Sequence, residues 1–240
     1  MTASLTTTCK LAVIPAAGKG DRMGGRTRKQ YLMFSGSTVL EHTIDRLLES
    51  GMQTIAVAVS RDDDRWSELA IASHKQLIFV EGGETRELSV LSGVNKLLEV
   101  YSIDDWVMVH DAVRPCVSVA DVIKLTDVLR EHEVGGLLAA RITDTIKKES
   151  SDGSRHVEDT IDRAGLWRAL TPQMFRLGML STALQNAIEK GVHITDEASA
   201  VEALGYSPQL VEGSVDNIKI TYPGDLKLAE YYLIRQESSS

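Results

Sequence analysis

The sequence is poor in cysteine, proline and aromatic rings: its 240 residues include two cysteines, five prolines and three phenylalanines. Cys9 and Cys116 make neither a C-x-x-C pair nor a zinc-ligand set, so neither a disulfide framework nor a structural zinc is expected. They read as two reduced thiols of a cytoplasmic protein. No apolar run approaches about 18 residues, which argues against a membrane-spanning helix. The first ten residues lack the apolar core of a signal peptide. Positive charge is also scarce: 26 Lys and Arg against 34 Asp and Glu give a net charge of −8. That balance speaks against a general nucleic-acid-binding surface, though it leaves room for a local basic pocket. There is no Ser-His-Asp or Cys-His set of the kind that prepares a covalent nucleophile.

Apolar residues make up 43% and charged residues 25%, an ordinary mixture that can fill one core. The length suits a single domain over residues 1–240. Short apolar runs at residues 11–14, 54–59, 77–80, 106–109 and 137–140 read as buried strands. Residues 39–50 and 86–100 carry apolar positions at helical spacing, and Ser118 with Asp121 makes a partial capping box for another helix. Strands alternating with helices predict an α/β fold with a mostly parallel sheet covered on both faces. Ligands of such sheets bind beyond the carboxyl ends of the strands. Residues 144–166 break the pattern. They are polar, with an Asp-Gly turn at 152–153, and read as a hairpin arm that is either solvated or packed on another subunit.

The strand ends hold the reactive side chains. In 15-PAAGKGDRM-23, Ala16, Ala17, Gly18 and Gly20 keep bulk away so that backbone N–H groups can approach a phosphate or base. Arg22 and Lys29 add fixed cations to the same loop. No Gly-Lys-Ser/Thr follows, and Met23 stands where a dinucleotide fingerprint needs its third glycine. Gly82-Gly83-Glu84 leads to Ser89, a turn able to read a base edge or simply a turn. Asp111, in 109-VHDAVRP-115, is placed to hold a magnesium ion or a substrate hydroxyl, and Arg114 to hold a phosphate. The plainer alternative is an Asp111–Arg114 ion pair that fixes the loop. His110 reads as a packed strand-end histidine. Thr195 begins a helix and could be only its N-cap. Residues 217–221 read as a strand that turns Lys219 away from Ile218 and Ile220.

In order, PAAGKGDRM, RKQY, GGETRELS, HDAVRP, DTIK, ALTPQ, ITDEAS and DNIKIT resemble the 2-C-methyl-D-erythritol 4-phosphate cytidylyltransferases, from about Leu11 to Leu233. The resemblance implies a Rossmann-like nucleotidyltransferase fold with a protruding β-arm that forms a homodimer. It implies transfer of CMP from CTP to a small phosphorylated alcohol, with release of pyrophosphate; magnesium is the cofactor expected to neutralise the charge that grows on the α-phosphate. Ala16, Ala17, Gly18, Gly83, Glu84 and Ser89 would then surround the cytidine, and Arg22 and Lys29 would hold the CTP phosphates. Asp111, Arg114, Thr171, Thr195 and Lys219 would lie around the acceptor and the reacting phosphates. Thr145 and Arg163 would reach the neighbouring subunit's site from the arm. Arg28 stands where the family usually carries proline, Leu88 where it usually carries aspartate, and the stretch 24–26 is this chain's own. A ribitol 5-phosphate cytidylyltransferase, or a nucleotide-binding module without catalysis, are the alternatives.

Overall fold

A computed structural model describes residues 9–18 and 28–238. The chain begins with β1 (Leu11–Pro15), a small ribbon of β2 (Met33–Phe34) and β3 (Ser37–Thr38), then α1 (Val39–Glu49), β4 (Thr54–Val59) and β5 (Leu77–Glu81). Next come α2 (Arg86–Leu98), β6 (Trp106–Val109), α3 (Val119–Leu129) and β7 (Gly135–Arg141). The arm is β8 (Ile146–Glu149) and β9 (Val157–Ile161). The chain then returns through β10 (Trp167–Arg176), α4 (Leu177–Glu189), α5 (Glu197–Glu202), β11 (Gln209–Glu212) and α6 (Asp225–Glu237).

Seven strands form one sheet in the order β11-β7-β10-β6-β1-β4-β5. β10 runs antiparallel to both of its neighbours, and the other pairings are parallel. The alternation along β1 explains why its residues are all apolar. Ala12 and Ile14 enter the core shared with Leu40, Ile44 and Leu125 of α1 and α3, whereas Leu11 and Val13 enter the opposite core with Val90 and Val94 of α2. Burying such side chains is worth about 1.5–3 kcal/mol each, so a charge placed on either face would be costly.

The first three helices start at side-chain caps. Thr38 and Glu41 close a reciprocal capping box on α1, Thr85 caps α2, and the Ser118 side chain accepts from the Asp121 N–H to cap α3. The Asp121 carboxylate does not complete a box there, because it accepts instead from the Ser214 N–H. The structure differs from the sequence expectation at three further points. Residues 217–221 are extended but pair with no strand; the Ile220 N–H bonds the Val113 carbonyl instead. The N-cap of α5 is Asp196, in a box with Ser199, and not Thr195. The helical spacing over 86–100 predicts a seam of Leu91, Val94, Leu97 and Leu98, but the buried seam of α2 runs through Val90, Gly93, Val94 and Leu97, with Leu91 and Leu98 only partly buried. Residues 144–166 do form the expected hairpin, a separate two-stranded sheet that is almost wholly exposed.

Candidate active site

Two cavities open beyond the carboxyl ends of the strands, on either side of β6. The larger, about 890 Å³, is lined by Ala16, Ala17, Gly18, Lys29, Gly83, Glu84, Ser89, Asp111 and Lys219, among others. The smaller, about 210 Å³, is lined by Arg114, Thr171 and Thr195, and again by Asp111 and Lys219. Arg86 also lines both cavities. The structure therefore gathers most of the expected residues and sorts them into two lobes that share a wall. Arg22 lies outside the described residues. Thr145 and Arg163 line neither cavity; both are exposed at the base of the arm, where the Arg163 guanidinium donates to the Thr143 carbonyl.

The larger lobe is shaped by close backbone approach. A Cβ on Gly82 would lie 2.7 Å from the Ala17 Cβ, and one on Gly83 would lie 2.3 Å from the Leu88 Cβ. The β1 and β5 loops thus touch only because side chains are absent there. Ser89 is buried, and its hydroxyl donates to the Thr85 carbonyl at 2.9 Å. Lys29 opens a one-turn 3-10 helix, Lys29–Tyr31, that is tied to the first loop by Gln30, whose Nε2 donates to the Ala16 carbonyl at 2.7 Å.

The shared wall is an ion cluster. The Asp111 Oδ1 accepts from Arg86 at 3.1 Å, and its Oδ2 accepts from Lys219 at 2.9 Å and from Arg114 at 3.3 Å. Burial alone would raise the Asp111 pKa, but the charges of Arg86, Lys219 and Arg114 together outweigh it and hold the carboxyl well below the usual range. Arg86 is held from its other side by Glu197, at 2.5 Å. Burial works against the charged guanidinium of Arg86, but the two carboxylates more than offset this and raise its pKa. Arg86 and Glu197 lie inside the GGETRELS and ITDEAS segments, but the sequence gives neither a role, since they are 111 positions apart and nothing local pairs them.

Beneath the cluster His110 is fully buried. Its Nε2 lies 3.1 Å from the Arg114 carbonyl, which can only accept, so Nε2 carries the proton. Nδ1 then accepts from the Thr171 hydroxyl at 2.8 Å, and that oxygen in turn accepts from the Asp111 N–H at 3.1 Å. Burial pushes the imidazole down to about 4, so it is neutral near pH 7. The histidine is a framework group, as expected. Asn217 completes the frame by donating to the Thr171 carbonyl at 2.7 Å, while its own carbonyl accepts from Arg114 at 2.7 Å.

Among the described residues no group of three or more His, Cys, Asp or Glu is arranged to hold a metal. The expected ligand, Asp111, has both oxygens engaged by three cations. This surrounding is suited to receiving anions and would disfavour a bare dication resting on the carboxylate. The described donor set does not fit a resident protein-held metal.

The arrangement can hold two phosphorylated molecules side by side across a wall rich in fixed positive charge. Comparisons with known proteins place the chain in a family. The family model of 2-C-methyl-D-erythritol 4-phosphate cytidylyltransferase matches residues 10–235. The protein of that name from Vibrio parahaemolyticus serotype O3:K6 is 48% identical over 227 residues, spanning 94% of this chain and 96% of its own. That of Hahella chejuensis is 49% identical over 224 residues, spanning 93% and 92%. The crystal structure of the Francisella tularensis protein of that name superposes with a TM-score of 0.81 at 36% identity, over 93% of this chain and 99% of its own. The chain belongs to the 2-C-methyl-D-erythritol 4-phosphate cytidylyltransferase family, nucleotidyltransferase enzymes of the non-mevalonate route to isoprenoid precursors.

Proposed function

We propose that the larger lobe receives CTP and the smaller lobe 2-C-methyl-D-erythritol 4-phosphate, which leave as 4-diphosphocytidyl-2-C-methyl-D-erythritol and pyrophosphate. The observation that carries this reading is the wall of Arg86, Asp111 and Lys219 common to both cavities. Two polyanions repel each other, and fixed cations between them offset that repulsion at the point of reaction. The glycine-lined lobe around Ala17 and Gly83 favours one small base, with Ala16, Gly18, Glu84 and Ser89 completing its walls.

An acceptor phosphate oxygen attacks the α-phosphorus of CTP. The bond from that phosphorus to the oxygen bridging the β-phosphate breaks, and pyrophosphate leaves with the electron pair. The attacking oxygen is already anionic near pH 7, so no protein base is required, and neutral, buried His110 supplies none. Arg22 and Lys29 stabilise the charge that grows on the donor phosphates, and Lys219 does so at the junction. Arg114, Thr171 and Thr195 hold the acceptor, whose hydroxyl Asp111 accepts. Thr145 and Arg163 come from the arm of a second copy in a homodimer. Magnesium enters as part of the donor, as Mg·CTP. The enzyme works in the cytoplasm, where the buried free thiols of Cys9 and Cys116 stay reduced.

The test is a pyrophosphate-release assay with CTP or ATP against methylerythritol 4-phosphate and ribitol 5-phosphate. CTP with the methylerythritol phosphate should turn over fastest. Equal turnover with ATP would show that the base lobe has been misread, and faster turnover with the ribitol phosphate that the acceptor has.

A further inference from the structure

Asp63, four residues beyond the end of β4, lines neither cavity, yet it is 4% exposed and satisfied on both oxygens. Its Oδ2 accepts from the Arg28 guanidinium at 3.1 Å and from the Tyr31 hydroxyl at 2.9 Å, and its Oδ1 accepts from the Arg65 N–H at 3.3 Å. Arg28 and Tyr31 are the residues that bracket Lys29 and Gln30. One buried carboxylate therefore grips the 3-10 turn at both ends, while Gln30 ties its middle to the Ala16 loop. The Tyr31 ring is buried as well. That burial and the hydrogen bond to Asp63 both raise the phenol pKa, so the hydroxyl stays protonated and donates.

We propose that Asp63 is a positioning residue for Lys29, acting through Arg28 and Tyr31 to present the lysine to the donor phosphates. The proposal rests on the phosphate-binding role given to Lys29 above. A lysine is a point charge on a flexible stem, so its value in a transition state depends on how firmly its backbone is held. The buried pair also explains how this chain holds the turn with arginine at position 28. Arg28 already has φ −63° with an extended ψ of 141°, and that φ is the one a proline ring would impose. The ion pair and a ring at that position are two ways to the same geometry.

The experiment is steady-state kinetics on Asp63→Asn, Tyr31→Phe, Arg28→Ala and Arg28→Pro, with melting curves. Asp63→Asn should lower turnover about tenfold or more, because a misplacement of about 1 Å can cost a hundredfold, while the KM for the acceptor stays within about twofold. Arg28→Ala should lose turnover and Arg28→Pro should recover most of it. Arg28→Ala added to Asp63→Asn should cost nothing more, since both act through one contact. Turnover within about threefold of the parent in both Asp63→Asn and Tyr31→Phe, or additive losses in the double variant, would overturn the proposal. Should Asp63→Asn not fold, Tyr31→Phe and Arg28→Ala decide on the same criteria. If the parent itself releases no pyrophosphate from these substrates, the activity reading has failed and Mg·CTP affinity judges the clamp. Binding weaker by about fivefold in Tyr31→Phe and Arg28→Ala then supports it, and unchanged binding refutes it.

Discussion

Asp111 and His110 are neighbours with opposite electrostatic settings. The first is kept charged by the cations around it, and the second is kept neutral by burial. The difference makes His110 a stability sensor. Its pKa is about 4 in the folded chain and about 6.5 in an unfolded one. Between those values the unfolded chain binds the extra proton, so stability rises with pH across that window. The contribution is fully present above about pH 6.5 and is lost as the pH falls toward 4, a swing of about 3 kcal/mol. Asp111, with its pKa depressed from the ordinary carboxylate value, loses its own contribution only at lower pH. Urea midpoints at pH 7 and pH 5 should therefore converge in a His110→Gln variant and diverge in the parent. An equal drop in both would place the acid sensitivity elsewhere.

At the scale of elements, the turn between β5 and α2 sets the width of the base lobe. A methyl group at Gly83 must push on the Leu88 Cβ and on the first turn of α2. Overpacking of this kind typically costs about 1–3 kcal/mol, so Gly83→Ala should raise the KM for CTP on the order of tenfold. Leu88→Gly in the same chain removes the opposing Cβ and should restore much of that loss; no restoration would mean that Gly83 serves by some other route. This turn was legible in the sequence because an apolar run, a glycine pair and a helical period follow one another. The strands β1, β4, β5, β6 and β7 were legible for the same reason: a strand buried on both faces is apolar throughout. β10 was not, because Pro172 interrupts it, and a proline argues against a central strand. The strand accommodates it where the register shifts between Ala169 and Gln173, beside Thr171. α4 follows β10 with no side-chain cap to announce it. Arg86 and Glu197 each sit in a segment that carries the family resemblance, but their pairing has no local signature, since only the fold brings α2 and α5 together. Many residues that line the two cavities could thus be picked out from the sequence, whereas the ion pair of Arg86 with its buried partner could not.

For the molecule as a whole, the arm is the part that one chain cannot explain. β8 and β9 make a sheet of their own, and apart from the half-buried Ile146 and Ile161 their residues are exposed. A lone two-stranded hairpin is at best marginally stable in water, so a further surface packed on it would stabilise the arm. The homodimer proposed above would supply one if its two-fold interface includes the arm. Thr145 and Arg163 lie at the base of this arm and line neither cavity of their own chain. If they serve the partner's acceptor lobe, each complete site draws on two chains. Light scattering should then give a dimer, and Arg163→Ala should lose activity without unfolding. The stronger test mixes two weakened variants, Lys29→Ala and Arg163→Ala, after reversible dissociation. In a mixed dimer one site collects both defects, and the other collects the intact core of one chain and the intact arm of its partner. With half of the dimers mixed, about a quarter of the parental activity should return. A monomer with full activity would remove the arm from the site. Mixing that restores nothing would confine Lys29 and Arg163 to the same chain's chemistry.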